Sequence, residues 1–391
     1  MRYPSTIFGE HMKNSVAIES LRAWMAWLVV LDHAQYLCGG QQILHPLLYK
    51  LVSNGALAVS VFIIISGFVI TNLLIVRKER YFPYILRRAF RIFPIYLFCI
   101  FIAIFVSGLY YAAYLTPEWV PNNDMRLDRM ASEHNFYVEH LLLHMSMMHG
   151  ILPDTIFPFS SVAFLAPAWS LSLEWQFYML APFLISLLSK RITVMLATTF
   201  LLLAMNVALR TSYFGEWEFN SFLPLAIQYF LIGIFSRLAL EYLPLKRMPP
   251  ELLFVAGATA AIFASKPAIL IWITFFTIVL YEQGYFARAS KPFSLFARLI
   301  ALNPYVSTIG KWSYSTYLIH IPIFAIIVGG AIKIYGPQSQ TNYVVLLALC
   351  MPIIFVVSFV LYRFIETPFI DLGRRLTSRA STTPSLPAVS G

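Results

Sequence analysis

Apolar stretches of around 20 residues recur from one end of the chain to the other, broken by short polar or basic segments. Each is long enough to cross a hydrocarbon core of about 30 Å as a helix. The pattern predicts about ten such helices, over 20–38, 55–76, 92–110, 168–188, 192–209, 221–240, 251–265, 267–282, 312–332 and 343–364, the seventh and eighth being the shortest. An all-α, polytopic integral membrane bundle is therefore expected. The longest interruption, 111–167, mixes Glu118, Asp124, Asp128, Glu133, Glu139 and Asp154 with many aromatic residues and prolines, and loops of that length are usually functional or disordered. Residues 1–18 form a short polar lead, and the Ser/Thr/Pro-rich end cannot bury enough apolar surface to fold. The expected division is a membrane domain over 1–378 and a disordered cytoplasmic tail over 379–391. The sequence contains no internal repeat and no matched pair of Gly/Pro-broken helices of the kind found in inverted-repeat transporters.

Composition agrees with this pattern. Of 391 residues, 59% are hydrophobic and 12% charged, about half the charge of a soluble domain, so lipid must solvate much of the surface. The net charge of +10 does not require a nucleic-acid partner, because basic clusters at helix ends set membrane orientation. With both termini inside, 22 of the 28 basic residues fall on the cytoplasmic side, leaving Lys50, Arg126, Arg129, Arg210, Lys266 and Lys333 outside. Cys38, Cys99 and Cys350 all lie in or beside apolar spans and indicate neither a disulfide framework nor a metal cluster. The first apolar segment lacks a small-residue cleavage site and is followed by many more spans, so it does not read as a removable signal.

Ionisable groups within membrane helices are costly unless paired or hydrated, which makes the few present here informative. In IESLRAWMAWLVVLDH, Arg22 and His33 are eleven residues apart, so they return to within about 20° of one helical face and stand about 16 Å apart along the axis. The alternative is that Arg22 snorkels to the headgroups while His33 bonds a neighbouring backbone. Asp32 adds a second titratable group at the same depth. At the start of the third span, Arg87, Arg88 and Arg91 form a basic face suited to phosphates, although orientation alone also accounts for charges there. Ser170, Glu174 and Tyr178 recur every four residues as a polar stripe that suits hydroxyl binding or could be satisfied internally. Ser313, Tyr317 and His320 share a face of the ninth span, and Glu366 lies near the inner end of the tenth, where Pro368 is expected to stop the helix. His140 and His144 have a zinc-compatible spacing without a third ligand, so no metal is expected. Tyr110, Tyr111, Tyr114, Trp119, Phe136 and Tyr137 suit an interfacial belt or sugar stacking.

In series, LRAWMAWLVVLDH, VFIIISGFVIT, RRAFRIFPIY, AWSLSLEWQFY, IGKWSYSTYLIH and FIETPF resemble the membrane-bound acyltransferase 3 family across nearly the whole chain and in the family's order. The chain departs from that pattern at Glu19 and Ser20, where Asp-Gly is commoner, and at Asp32, where an apolar or aromatic residue is commoner. The resemblance implies an O-acyltransferase that moves an acyl group, often acetyl, from a cytoplasmic acyl-CoA to a hydroxyl of a glycan or secreted small molecule. It implies that His33 and Arg22 are the essential pair, that Arg87, Arg88 and Arg91 bind the coenzyme A phosphates, and that Ser170, Glu174, Tyr178 and His320 shape the acceptor side. A bacterial inner membrane is the location it implies. Relatives often carry an added hydrolase-like domain, a step expected here to fall to another protein. His33 would act as general base or as nucleophile, and the sequence leaves both open. The rival readings are a glycan or small-product flippase using His33 and Glu174 as a proton relay, and a non-catalytic assembly partner.

Overall fold

The computed structural model describes residues 15–77, 79–242, 257, 261–284 and 290–379. Among them all regular structure is helical. Seven helices are long and apolar enough to cross a membrane: Pro46–Arg77, Tyr81–Phe105, Ala166–Leu188, Ile192–Leu209, Leu223–Leu240, Ser313–Tyr335 and Gln340–Ser378. The span expected over 251–265 lies for the most part outside the described residues, as does the tail from 380 onwards.

The helix of the first predicted span, α1 (Val16–Leu37), differs from the apolar spans in carrying Glu19, Arg22, Asp32 and His33. It runs through the interior of the bundle rather than along its edge. Against it pack α2 (Gly55–Arg77), α10 (Lys266–Glu282), α11 (Pro304–Gly310) and α12 (Ser313–Phe324). Polar side chains on α1 are thus surrounded by protein, where partners can satisfy them. The start of α1 is fixed by Glu282 at the end of α10, whose carboxylate accepts from Ser15 Oγ at 2.6 Å and from the Val16 amide at 2.8 Å. A negative group at a helix N-terminus satisfies orphan amides and complements the dipole. Gly310 of α11 sits directly on α1. A Cβ there would meet the Glu19 carbonyl at 1.8 Å, so the close crossing depends on the glycine of the partner helix.

The most extensive helix packing among the described residues is that of α2 with α9 (Leu223–Tyr242). Gly67 lies against the Phe230 carbonyl and Gly233 against the Ile64 carbonyl, where added Cβ atoms would stand at 2.5 and 2.1 Å. Small residues that let backbones touch are the usual means of packing helices in lipid, where no hydrophobic drive separates helix from tail. Gly233→Ala is therefore expected to cost about 1–3 kcal/mol by overpacking. Gly330→Ala, whose Cβ would enter open space, is the control. Thermal stability of the detergent-purified protein checks this, and equal melting of the two variants would contradict it.

The outward faces of the remaining helices are apolar. On α3 (Tyr81–Phe105) Phe101 and Phe105 are 66% and 82% exposed, and on α8 (Ile192–Leu209) Phe200 is 75% exposed. Exposed apolar rings on helices of spanning length mark a lipid-facing surface. The third helix begins eleven residues before its predicted start, because Arg87, Arg88 and Arg91 are helical rather than part of a connecting loop. The last span is also longer than expected. Pro368 does not stop it: α13 (Gln340–Leu361) passes through a π turn over Tyr362–Glu366 into α14 (Thr367–Arg379). The wider turn and the first-turn position of Pro368 in α14 remove the clash that a proline makes in a helix interior. Thr367 Oγ1 returns a hydrogen bond to the Tyr362 carbonyl at 2.9 Å.

The long interruption is folded, with α4 (Ser107–Leu115), α5 (Asn123–Asn135) and α6 (Tyr137–Met145) capping one end of the bundle. Its aromatic residues cage cations. Arg126 lies 5.4 Å from the Tyr36 ring and 5.3 Å from Tyr114, and Arg129 lies 4.8 Å from Tyr110 and 5.7 Å from Tyr111. Buried cations need such partners, and Arg129 also pairs with Glu133 at 3.2 Å. Tyr110, Tyr111 and Tyr114 thereby hold these cations within the loop, and Tyr111 with Tyr137 also lines a cavity of about 640 Å³ beside it.

Candidate active site

Two joined cavities enter the bundle from the end opposite the folded loop. The outer one, about 520 Å³, is a vestibule bordered by Arg22, Arg77, Arg87, Arg88, Arg91, Lys311 and Arg374, with Glu19 the one acid on its wall among the described residues. Five elements of remote sequence, α1, α2, α3, α14 and the segment after α11, supply these charges. Some are already engaged: Glu79 pairs with both Arg77 and Arg87, Asp371 with Arg374 at 3.1 Å, and Glu19 with Arg22 at 3.5 Å. Among the described residues no carboxylate lies within ion-pair distance of Arg88 or Arg91. Arg88 Nε is buried without a hydrogen-bond partner while its guanidinium stands 5.8 Å over the Tyr178 ring. Buried donors left open beside a cavity are ready to receive an anion.

The inner cavity is narrow, about 80 Å³, and shares Arg22, Ser66, Arg91 and Tyr178 with the vestibule. Beyond those residues its wall is apolar except for Ser170, Glu174, Ser313, Tyr314 and Tyr317. The stripe on α7 (Trp169–Leu188) faces it as the four-residue spacing predicts, but the hydrogen bonds divide it. Glu174 accepts from Tyr178 on its own helix and from Ser66 Oγ of α2 at 3.3 Å. Ser170 instead joins Tyr317 at 2.8 Å, and the Tyr317 hydroxyl also reaches the Pro167 carbonyl at 2.7 Å. Tyr314 OH is buried and unpartnered on the same wall. Glu366 is held by a hydrogen bond from Ser315, with Arg91 and Arg22 the nearest opposing charges.

His33 and His320 meet beyond Tyr317. His320 follows Tyr317 by three residues on α12, and its Nε2 lies 3.3 Å from His33 Nδ1, with ring centroids 5.0 Å apart. His33 Nδ1 also lies 2.9 Å from the Val29 carbonyl one turn back. Sequence spacing placed His320 on one face with Ser313 and Tyr317, and it was expected on the acceptor side with Ser170 and Glu174, whereas the fold brings it to His33. Asp32 has a different task from its neighbour. It points at the first turn of α2, where the Gly55 amide donates to it, and a Cβ at Gly55 would collide with the carboxylate at 2.5 Å. Asp32 therefore ties the histidine helix to the helix that carries Ser66, and although among the described residues it makes no hydrogen bond to His33, its charge acts on the neighbouring ring.

Behind Pro167 and Ala168 the loop packs three histidines. His144 stacks on His149 at 4.0 Å, the Tyr96 hydroxyl bridges their Nδ1 atoms at 2.9 and 3.4 Å, and His149 Nε2 donates to the Ala168 carbonyl at 3.0 Å. His140 turns away to Ser132 at 3.0 Å. Burial lowers His140 to about 4, partly opposed by Glu139, and lowers His149 to about 4. His144 is lowered by burial and by both histidine neighbours. These rings are neutral in the folded loop and take up protons more readily when it opens, so acid favours opening. Stability is full above 6.5 and falls as pH drops toward about 4, below which protonation no longer distinguishes the two states. Protection of the amides across 137–165, with the intrinsic pH dependence of exchange divided out, should fall over that window, and a flat protection profile would contradict the assignment.

Some residues of these cavities carried no signal in the sequence. Arg77, Lys311 and Arg374 each read as an ordinary orientation charge, and only the fold brings them to one mouth. Tyr314 and Phe230 resembled lipid-facing or core residues. Arg22, Arg87, Arg88, Arg91, Ser170, Glu174 and Tyr178 were visible as polar groups at helical spacing, and all seven line one or both cavities.

Comparison with known proteins bears on what this arrangement does. Residues 15–363 match the acyltransferase 3 family model, described as an acyltransferase domain. The chain is 27% identical over 366 residues to proteins named O-acetyltransferase OatA from Staphylococcus aureus strains NCTC 8325, COL and MRSA252, a match that covers 85% of this chain and 55% of each relative. It thus spans about half the length of the curated relatives it matches. No solved structure matches the chain. With a match that runs from the start of α1 into the π turn of the last span, and takes in every residue named above as lining the two cavities except Arg374, the chain belongs to the acyltransferase 3 family.

Proposed function

We propose that this chain is a membrane O-acyltransferase that takes an acyl group, in the first instance acetyl, from an acyl-CoA at the basic mouth and passes it to a hydroxyl of a glycan or other acceptor. The observation that carries this reading is the continuity of the two cavities. A cation-rich vestibule with open buried donors leads through Arg22, Ser66, Arg91 and Tyr178 into a narrow, mostly apolar chamber. The vestibule suits a polyanionic nucleotide, because guanidinium groups bind phosphate oxygens in pairs. The chamber suits a slender thioester arm ending in a small acyl group.

In this reading His33 serves the acceptor. As general base it takes the hydroxyl proton while the oxygen bonds to the acyl carbon and the carbon–sulfur bond breaks, and the proton then passes to the leaving thiolate. As nucleophile it would carry the acyl group on a ring nitrogen before releasing it to the hydroxyl. Arg22, at the junction of the two cavities, orients the donor. The basic mouth faces the cytoplasm, by the excess of Lys and Arg at that end, and the loop end faces outward across a bacterial inner membrane with both termini inside. Acetylation of relatives' products supports acetyl as the group, since their name is O-acetyltransferase.

Mass spectrometry of surface glycans from cells lacking and regaining the chain tests the reading. O-acetyl groups should disappear on deletion and return on complementation. Glycans that reach the surface in reduced amount but with unchanged acetylation would overturn it in favour of a flippase.

A further inference from the structure

We propose that His320 is a positioning residue for His33, fixing which nitrogen of the His33 ring bears the lone pair. This rests on the reading above, in which His33 serves the acceptor, and it departs from the sequence expectation that His320 contacts the acceptor.

Three contacts determine the protons. His33 Nδ1 lies 2.9 Å from the Val29 carbonyl, which can only accept, so Nδ1 carries the hydrogen. His320 Nδ1 lies 3.3 Å from the Thr316 carbonyl, which by the same argument places its hydrogen on Nδ1 and leaves Nε2 with a lone pair. The two rings then meet correctly: the His33 Nδ1–H faces the bare His320 Nε2 at 3.3 Å and is shared between it and the Val29 carbonyl. The other assignments leave a backbone carbonyl facing a lone pair, or set two N–H groups against each other. The remaining nitrogen, His33 Nε2, is therefore the basic and nucleophilic one.

His320 is suited to this by its own confinement. It is fully buried, packed edge-on to Phe324 at 5.9 Å, and set on a helix that Tyr317 pins to Pro167 and Ser170. His33 is only partly buried, and a single i−4 carbonyl bond permits its ring to rock about the Cα–Cβ bond. The second acceptor removes that freedom. When Nε2 gains a proton during transfer, Nδ1–H stays donated to two neutral acceptors, and the nearby Asp32 charge adds to the stabilisation of the imidazolium. Among the described residues Asp32 does not set the ring's tautomer, because it is turned to Gly55 and makes no hydrogen bond to either ring nitrogen. A polar partner in this place keeps the productive ring orientation populated before substrate arrives.

The test uses the purified full chain with acetyl-CoA as donor and chitotetraose as a surrogate hydroxyl acceptor, comparing His320→Leu, His320→Gln and His33→Ala. His320→Leu should lower kcat about tenfold, the worth of one hydrogen bond, with KM for both substrates unchanged. His320→Gln, which offers Oε1 as acceptor in the same place, should restore most of kcat. Equal melting temperatures of the variants show that the loss is not one of folding, and if leucine melts lower, recovery of kcat by glutamine decides the matter. A rise in acceptor KM with kcat intact would overturn the proposal, since His320 would then bind substrate. So would a glutamine variant that melts as the parent but stays as slow as leucine. If His33→Ala itself retains activity, the reading of His33 fails. If His33→Ala is inactive while His320→Leu turns over normally, His33 stands and only the role of His320 falls.

Discussion

Replacing His33 with alanine should abolish acyl transfer in cells while leaving the chain inserted and abundant. A positioned general base contributes about 10²- to 10⁴-fold, and loss of a nucleophile removes the covalent route altogether. Structural cost should be small by comparison. The ring is only partly buried, its two hydrogen-bond contacts are to Val29 and His320, and its removal leaves the Asp32 contact to α2 in place. Surface acetylation measured against the amount of chain in isolated membranes separates the two effects. Full acetylation by His33→Ala would sink the proposed chemistry. The parent chain distinguishes base from nucleophile: acetyl-CoA alone, quenched within a turnover, should leave an acetylated His33 peptide only if the ring carries the group.

The sequence made the polar residues of α1 conspicuous because a membrane segment with an arginine, an aspartate and a histidine is expensive, and cost is visible without coordinates. What they touch was not visible. Arg22 and His33 share a helix, yet Arg22 belongs to the vestibule while His33 reaches across to α12, and that division depends on which helices surround α1. The stripe Ser170, Glu174 and Tyr178 was legible for the same reason that it folds as it does: a period of four on a helix gives one face. Its hydrogen bonding was not, since Ser170 finds its partner 147 residues away. Boundaries failed where local rules met tertiary compensation. Pro368 reads as a stop, and a π turn makes it the beginning of another helix. The basic run at Arg87 to Arg91 reads as the lead into a span that starts at 92, and the helix in fact begins at Tyr81, with Glu79 pairing Arg87 just before it. The long interruption was unreadable as structure because its order comes from arginines caged by tyrosines, a pairing that neither hydrophobic period nor turn chemistry announces.

Donor recognition separates the arginines that one sequence motif groups together. Arg88→Gln and Arg91→Gln should each raise KM for acetyl-CoA about 10- to 100-fold, the range expected when a hydrogen bond to a charged group worth about 1.5–3 kcal/mol is lost. Arg87→Gln should do less, because Glu79 already engages that guanidinium and part of its charge is answered before any phosphate arrives. The control lies in the donor. S-acetyl-N-acetylcysteamine has the thioester and the end of the pantetheine arm but no phosphates, so its poorer KM should be nearly indifferent to all three substitutions. Raised salt should weaken acetyl-CoA binding in the parent chain and have less effect in Arg88→Gln, because fewer phosphate contacts remain to screen. If the small donor suffers as much as acetyl-CoA, then Arg88 and Arg91 support the bundle rather than the nucleotide. The open Arg88 Nε argues against that outcome: a guanidinium kept for structure alone would have its donors satisfied by the protein, and this one leaves a buried N–H without a partner beside a cavity lined with positive charge.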